Sequence, residues 1–254
     1  MAGTSECCGT GAFSYIGQLV ATAVFFVGGS MASSLLWVVS KVSCGTLSAE
    51  SGQRILRRLF RFYVWWMKIT GMLRIEAGGF DEIRNLRGTI LVSNHPALLD
   101  AFFLLAHLPP AACVMRSGLL RNPVLSGSSL AAGYVTNDSG PGFVRQGIQK
   151  ILAGENLLVF PEGTRTVSPP VNSFKNGFAL VAVRTGAPVR ALVVEYRGSH
   201  LTKGVSLLAP AEVPLRFKIR VGKIFQAGPG ETARELSRRI ESWYREELGV
   251  GTTR

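Results

Sequence analysis

The chain has 254 residues, 47% of them apolar or aromatic, and 28 Lys and Arg against 16 Asp and Glu give a formal charge of +12. That length suits one large domain, or one domain with a small appendage, and supports a real core. The charge asks for an anionic partner, whether nucleic acid, an acidic membrane surface or a substrate bearing phosphate or carboxylate, while Cys7, Cys8, Cys44 and Cys113 show neither a disulfide framework nor metal-ligand spacing and read as free thiols in a reducing compartment.

From Phe13 to Ser40 no charged residue appears and Gln18 is the one strongly polar side chain, so the segment is long enough to cross a bilayer core. Gly28-Gly29-Ser30 leaves a bent or hairpin pair of shorter helices open as well. A cleaved signal peptide fits less well, because the stretch is too long and is preceded by Glu6 and no Lys or Arg. Lys41, Arg54, Arg57, Arg58, Arg61 and Lys68 follow the apolar segment, which places the remainder of the chain on the cytoplasmic side of a membrane by the positive-inside rule.

Between Glu50 and Thr70, Ile55, Leu56, Leu59, Phe60, Tyr63 and Met67 recur at three- and four-residue steps with arginines between them, the pattern of an amphipathic helix. Its basic face and the pair Trp65-Trp66 suit a helix lying at the headgroup level; packing on its own domain with a solvated basic face is the alternative. The expected organisation is an N-terminal membrane segment over residues 1–45, an interfacial helix over 46–72 and a domain over 73–254.

From Leu73 onward, short β-rich runs (Leu73–Ala77, Gly88–Ser93, Ala112–Met115, Asn156–Phe160, Val189–Glu195 and Leu215–Val221) alternate with helical patterns near Leu98–Ala106, Gly142–Ala153, Phe174–Thr185 and Glu231–Leu248. Alternation of this kind predicts an α/β domain with a mostly parallel sheet flanked by helices, preceded by the N-terminal membrane helix or helices.

Two stretches carry chemistry. In Asn94-His95-Pro96-Ala97-Leu98-Leu99-Asp100, His95 follows the buried run Thr89–Ser93, at a strand-to-helix turn where Pro96 suits the first helical position. Ligands of open α/β sheets bind at the carboxyl ends of strands. Asp100 would be about 140° round an ideal helix from His95, so the two meet only because His95 precedes the helix. A carboxylate on one ring nitrogen fixes the tautomer and leaves the other nitrogen to take a proton. No Gly-x-Ser-x-Gly elbow or catalytic cysteine context accompanies the pair, so the hydroxyl that the base activates belongs to the substrate. In Phe160-Pro161-Glu162-Gly163-Thr164-Arg165, after the run Asn156–Phe160, Gly163 permits positive φ or close backbone approach and Arg165 offers a fork of donors for phosphate or carboxylate. A structural Glu162–Arg165 ion pair is the plainer account of that turn.

Together the two stretches resemble the first and third signature blocks of the glycerolipid acyltransferases typified by 1-acylglycerol-3-phosphate acyltransferase, over roughly Leu73 to Val221. The resemblance implies a membrane-associated enzyme without bound cofactor or metal, in which His95, assisted by Asp100, deprotonates a lipid acceptor hydroxyl that attacks an acyl thioester on coenzyme A or acyl carrier protein. It further implies that Glu162, Gly163, Thr164 and Arg165, with Lys175 downstream, shape the acceptor site. The second block departs from the family pattern: in Gly133-Tyr134-Val135-Thr136-Asn137-Asp138, Asn137 stands where an arginine for the acceptor phosphate is expected. That departure opens a non-phosphate lipid acceptor, such as a lyso-aminolipid or specialised lipid precursor, and Arg190 in the partly matching fourth block is a candidate for the missing charge. A nucleic-acid module is disfavoured because no recognition motif accompanies the basic residues, and a non-catalytic membrane scaffold has no physical need for His95 with Asp100. His107 at a helix end reads as a packing residue, His200 as part of a polar loop, and Leu98, Leu99, Phe102, Phe103 and Leu105 as core.

Overall fold

The computed structural model describes residues 7–42, 48–122, 125–137 and 140–249; Cys44, Asp138 and the side chains of Cys7 and Cys8 lie outside the described residues. A seven-stranded sheet forms the centre, in the order β1 (Leu73–Gly78), β7 (Leu215–Phe225), β6 (Val189–Arg197), β2 (Ile90–Ser93), β5 (Asn156–Val159), β3 (Ala111–Met115), β4 (Val135–Thr136). All neighbours are parallel except β6 and β7, which pair antiparallel with a register shift between Arg190 and Leu192. The mixed, mostly parallel sheet flanked by helices agrees with the α/β expectation.

The central strands are near-continuous apolar runs because both sheet faces are covered. Leu91 joins the core under α2 (Ala49–Ile69) and α3 (Asp100–His107), whereas Ile90 and Val92 join the core under α5 (Gly140–Leu152), α6 (Gly177–Thr185) and α7 (Ala233–Gly249). Tyr244 of α7 is fully buried and its hydroxyl sits 2.7 Å from the Val92 carbonyl and 2.8 Å from that of Leu192, tying β2 to β6.

Helix α1 runs unbroken from Cys7 to Val42, so Gly28-Gly29-Ser30 makes no hairpin. Each interior glycine costs only about 1 kcal/mol of helix propensity, small against an apolar ladder of this length. Over Tyr15–Val39 α1 is long and apolar enough to cross a membrane. Its inner face packs on α4 (Ser126–Ala131), where Ser33 Oγ accepts the Ser128 N–H at 3.0 Å and a Cβ at Gly127 would overlap the Ser33 carbonyl. Its outer face leaves Ile16, Val27, Met31 and Leu35 exposed.

Helix α2 begins where Ser48 Oγ accepts the Ser51 N–H and carries Glu50 in its first turn and Lys68 in its last, both favourable to the helix dipole. Leu56, Val64 and Met67 are buried, while Phe62 and Trp65 are exposed. The buried Gln53 docks the helix by donating to the Ala132 carbonyl and to Glu155.

Three details differ from the sequence expectations. Helix α3 starts at Asp100, not at Pro96, because the Asp100 carboxylate reaches back to the Ala97 N–H at 2.8 Å and turns residues 97–99 outside the helix. The two-residue β4 and the short helix α4 are too brief to leave a periodic signal. His200 is buried, in a loop expected to be polar, for a reason given below.

Candidate active site

Strand β2 delivers His95 to the carboxyl edge of the sheet, and neighbouring groups fix it on every side. Asn94, just before it, is buried and exchanges two hydrogen bonds with the Val194 backbone, donating at 2.8 Å and accepting at 2.9 Å. The His95 N–H donates to Glu162 Oε1 at 3.0 Å and its carbonyl accepts the Thr166 N–H at 2.7 Å. The ring stacks on Phe160 at 4.3 Å between centroids. The imidazole thereby has its position set by backbone and packing, independent of the pair it makes with Asp100.

That pair is formed: His95 Nδ1 lies 3.0 Å from Asp100 Oδ2, which also accepts the Ala97 N–H. Asp100 is fully buried and its Oδ1 has no partner among the described residues, while the His95 side chain keeps 18% of its surface. Burial pushes the Asp100 carboxyl above its usual range; the bond and charge of His95, the Ala97 N–H and the more distant Arg165 oppose that shift. With Nδ1 occupied by the carboxylate, Nε2 is the nitrogen left to exchange a proton with a ligand.

Glu162 sits beneath the loop, 4% exposed. Oε1 accepts the His95 N–H and the Thr166 hydroxyl, and Oε2 accepts the Asn172 N–H at 2.8 Å. Burial raises its carboxyl pKa, and these same donors pull the other way. No Glu162–Arg165 ion pair exists among the described residues; Arg165 Nη1 instead donates to the Leu201 and Thr202 carbonyls at 2.9 Å each. Every Glu162 partner is a donor, so Glu162→Gln must set its amide NH2 against one of them. Leaving such a buried donor unpaired costs about 1–3 kcal/mol. Thermal unfolding of Glu162→Gln is expected to show a lowered midpoint together with reduced activity; an unchanged midpoint would mean the carboxylate is not the brace described here.

Gly163 has φ 66°, the left-handed region that favours glycine, and a Cβ there would press on the Lys175 side chain. On the same turn the Arg116 fork closes over the Gly163 carbonyl, with Nε at 3.1 Å and Nη2 at 2.7 Å. Thr164 is half-buried beside them. Arg116, Arg165 and Lys175 form no ion pair with a carboxylate among the described residues, so three cations border one turn.

Arg116 gives no motif signal in the sequence, yet it follows β3 directly, at the same carboxyl edge of the sheet where His95 stands two residues past β2. Asn137, just after β4, donates its N–H to the Met115 carbonyl and stands next to Arg116 across the strand pair. Arg190 does not supply a charge here. It lies near the amino end of β6, opposite Leu91, and pairs with Glu82 at 2.9 Å. His107 caps α3 through Nδ1 and the Phe103 carbonyl at 2.7 Å.

Two adjoining apolar cavities open beneath α1, sharing Phe25 and Tyr63. The first reaches Leu98 and Leu99 of the turn between His95 and Asp100; the second, about 220 Å³, is lined by Gly28, Leu56, Phe60 and Phe102. Leu99, Phe103 and Leu105 are buried in the core with Leu98 and Phe102 packed against it, and Leu98, Leu99 and Phe102 also line the cavities.

An acyltransferase family model matches residues 74–195, which includes both stretches. The 1-acyl-sn-glycerol-3-phosphate acyltransferase of Pseudomonas aeruginosa is 26% identical over 203 residues, 76% of each chain. The enzyme of that name from Cocos nucifera is 23% identical over 192 residues, 72% of this chain and 58% of the relative. The crystal structure of the 1-acyl-sn-glycerophosphate acyltransferase from Thermotoga maritima superposes with a TM-score of 0.70 at 20% identity, covering 96% of this chain and 97% of that one. The sheet order, the two strand-end stretches and these likenesses converge on the glycerolipid acyltransferase superfamily, and the chain is an acyltransferase.

Proposed function

We propose that the protein is a membrane-associated O-acyltransferase that moves an acyl chain from a thioester, on coenzyme A or acyl carrier protein, to the hydroxyl of a lysophospholipid-like acceptor. The observation that carries this reading is the imidazole of His95, held by a buried carboxylate at a strand end between a turn bordered by cations and an apolar cavity. Nε2 of His95 takes the acceptor O–H proton while that oxygen attacks the thioester carbonyl carbon. Collapse of the tetrahedral intermediate breaks the C–S bond, and the imidazolium returns its proton to the departing thiolate. Asp100 keeps Nδ1 protonated and stabilises the imidazolium.

Glu162 acts from below by fixing the His95 backbone, and Gly163 and Thr164 form the turn. Arg116, Arg165 and Lys175 offer the acceptor's anionic group the partners they lack within the protein. In this reading Arg116 supplies, from the end of β3, the charge that Asn137 does not supply from β4. The cavities under α1 suit an acyl chain by their lining.

Membrane association is supported by the exposed apolar face of α1, by Phe62 and Trp65 on α2, and by the arginines beside them. We accordingly divide the chain into a membrane segment over residues 1–45, an interfacial helix over 46–72 and a catalytic domain over 73–254, and place the catalytic domain on the cytoplasmic side.

The test is a panel of acceptors presented to the purified protein with one radiolabelled acyl group on coenzyme A and on carrier protein. Lysophosphatidic acid is expected to be acylated in preference to uncharged or amino-headed lyso-lipids. Preference for an acceptor without phosphate would transfer the reading to the non-phosphate lipid that Asn137 favours, and no transfer from either donor would refute it.

A further inference from the structure

Gln18 is the one strongly polar side chain in the apolar stretch of α1, yet it is only 6% exposed. Its Oε1 accepts the Ala211 N–H at 2.8 Å. Its Nε2 lies 2.6 Å from the Ala209 carbonyl, 3.2 Å from that of Leu207 and 3.2 Å from His200 Nε2. The Ala211 bond fixes which way the amide points, so Nε2 is the donor, its two hydrogens shared among the three acceptors, and His200 Nε2 is the unprotonated ring nitrogen. Tyr15 adds a bond from its hydroxyl to the Leu208 carbonyl at 3.1 Å.

All of these partners lie in the connection between β6 and β7, which forms turns but no helix or strand of its own. Backbone groups in such a segment need partners from outside it. The same connection supplies the Leu201 and Thr202 carbonyls that hold Arg165 Nη1, and the Leu201 carbonyl also accepts the Leu98 N–H at 3.0 Å, two residues before Asp100. A chain of hydrogen bonds therefore runs from the apolar helix through the β6–β7 connection to Arg165 on the catalytic turn. An apolar helix has no use for a glutamine except as a tether, because a polar side chain there disfavours burial in hydrocarbon unless it is paired.

We propose that Gln18 is a positioning residue of the acceptor site: by pinning Leu207, Ala209 and Ala211 to α1 it holds the carbonyls that aim Arg165. The proposal rests on the reading of Arg165 as a group that meets the acceptor's anion. Helix α1 then belongs to the scaffold of the site as well as to any membrane anchor, and an enzyme stripped of it loses acceptor recognition along with localisation.

The full chain in detergent micelles, with saturating oleoyl-coenzyme A and varied 1-oleoyl lysophosphatidic acid, separates the two readings. Arg165→Gln is expected to raise the acceptor KM by about tenfold or more, the scale on which a charge-assisted bond is lost. An unchanged KM there refutes the anion-binding reading, and with it the premise of the proposal. Gln18→Met, of similar size and apolar, is expected to raise the acceptor KM about tenfold while kcat stays within about threefold, because the His95–Asp100 pair is held by other bonds. In the Arg165→Gln background Gln18→Met should add no further factor, since both changes remove one coupled interaction. Multiplying effects in the double variant, or an unchanged KM in Gln18→Met, would overturn the positioning role even with Arg165 upheld. If Gln18→Met fails to accumulate, Gln18→Asn, one methylene too short to reach the connection, carries the same comparison. Failure of both to fold would assign Gln18 to stability alone and overturn the proposal.

Discussion

His95→Ala is expected to lower acyl transfer by about 10²- to 10⁴-fold, the contribution typical of a positioned general base. The fold should survive the change. The backbone of residue 95 is bonded to Glu162 and Thr166 irrespective of its side chain, and the lost ring contacts are those with Phe160 and Asp100. Circular dichroism and partition into vesicles should therefore match the wild type while radiolabelled product falls away. Transfer within about tenfold of the wild type would remove His95 from the chemistry. Because Nε2 is the free nitrogen, the loss should appear in kcat with saturating donor and acceptor, and raising the acceptor concentration should not rescue it.

Asp100→Asn is expected to be impaired on a similar scale, about 10²- to 10⁴-fold, by a different route. Two orientations of the new amide are available. If its oxygen takes the place of Oδ2, it still accepts from His95 Nδ1 and the Ala97 N–H, but the negative charge that stabilises the imidazolium is gone and the NH2 lands where Oδ1 now has no partner. If the amide turns over, the NH2 opposes the Ala97 N–H and forces His95 Nδ1 to accept, which places the ring proton on Nε2 and removes the base. Both orientations slow transfer, and both leave a buried donor poorly matched, at about 1–3 kcal/mol of stability. Nitrogen-15 NMR of the His95 ring distinguishes the two tautomers. Retention of the wild-type rate and pH profile by Asp100→Asn would show that the carboxylate takes no part in transfer.

Much of the framework was legible because it repeats over many residues. The apolar runs of β2, β5 and β6 and the three- and four-residue steps in α2 each stem from one-dimensional periods, and the structure places elements there with shifts of a few residues at their ends. The His95–Asp100 pair was legible for a related reason: a five-residue spacing across a strand-to-helix turn is local, so the chain's own geometry closes it. The start of α3 was misjudged because Pro96 is only permissive of a helix, while the carboxylate of Asp100 defines the turn before it.

What remained hidden depends on contacts between residues far apart in the chain. Glu162 and Arg165, three residues apart, read naturally as an ion pair, but the fold turns the carboxylate under His95 and the guanidinium toward Leu201 and Thr202. The charge absent at Asn137 was sought at Arg190, since both lie in family blocks; pairing of β6 with β2 puts Arg190 at the far end of its strand, while Arg116 comes to the cationic turn because β3 lies beside β5. His200 read as a loop residue because nothing near it in sequence announces Gln18, 182 positions away.

By itself, then, the sequence determined the alternation of the longer strands and helices, the strand-end placement of a histidine with its carboxylate, and the presence of a helix apolar enough for a membrane, all of which follow from local spacing and hydrophobic period. Only the tertiary structure decided which cations gather at the turn, which carboxylate is a brace, and that the apolar helix is bonded to the loop that holds Arg165. Those outcomes follow from strand order and crossover connections, which bring hydrogen-bond partners within 3 Å across separations in the chain that carry no periodic signal.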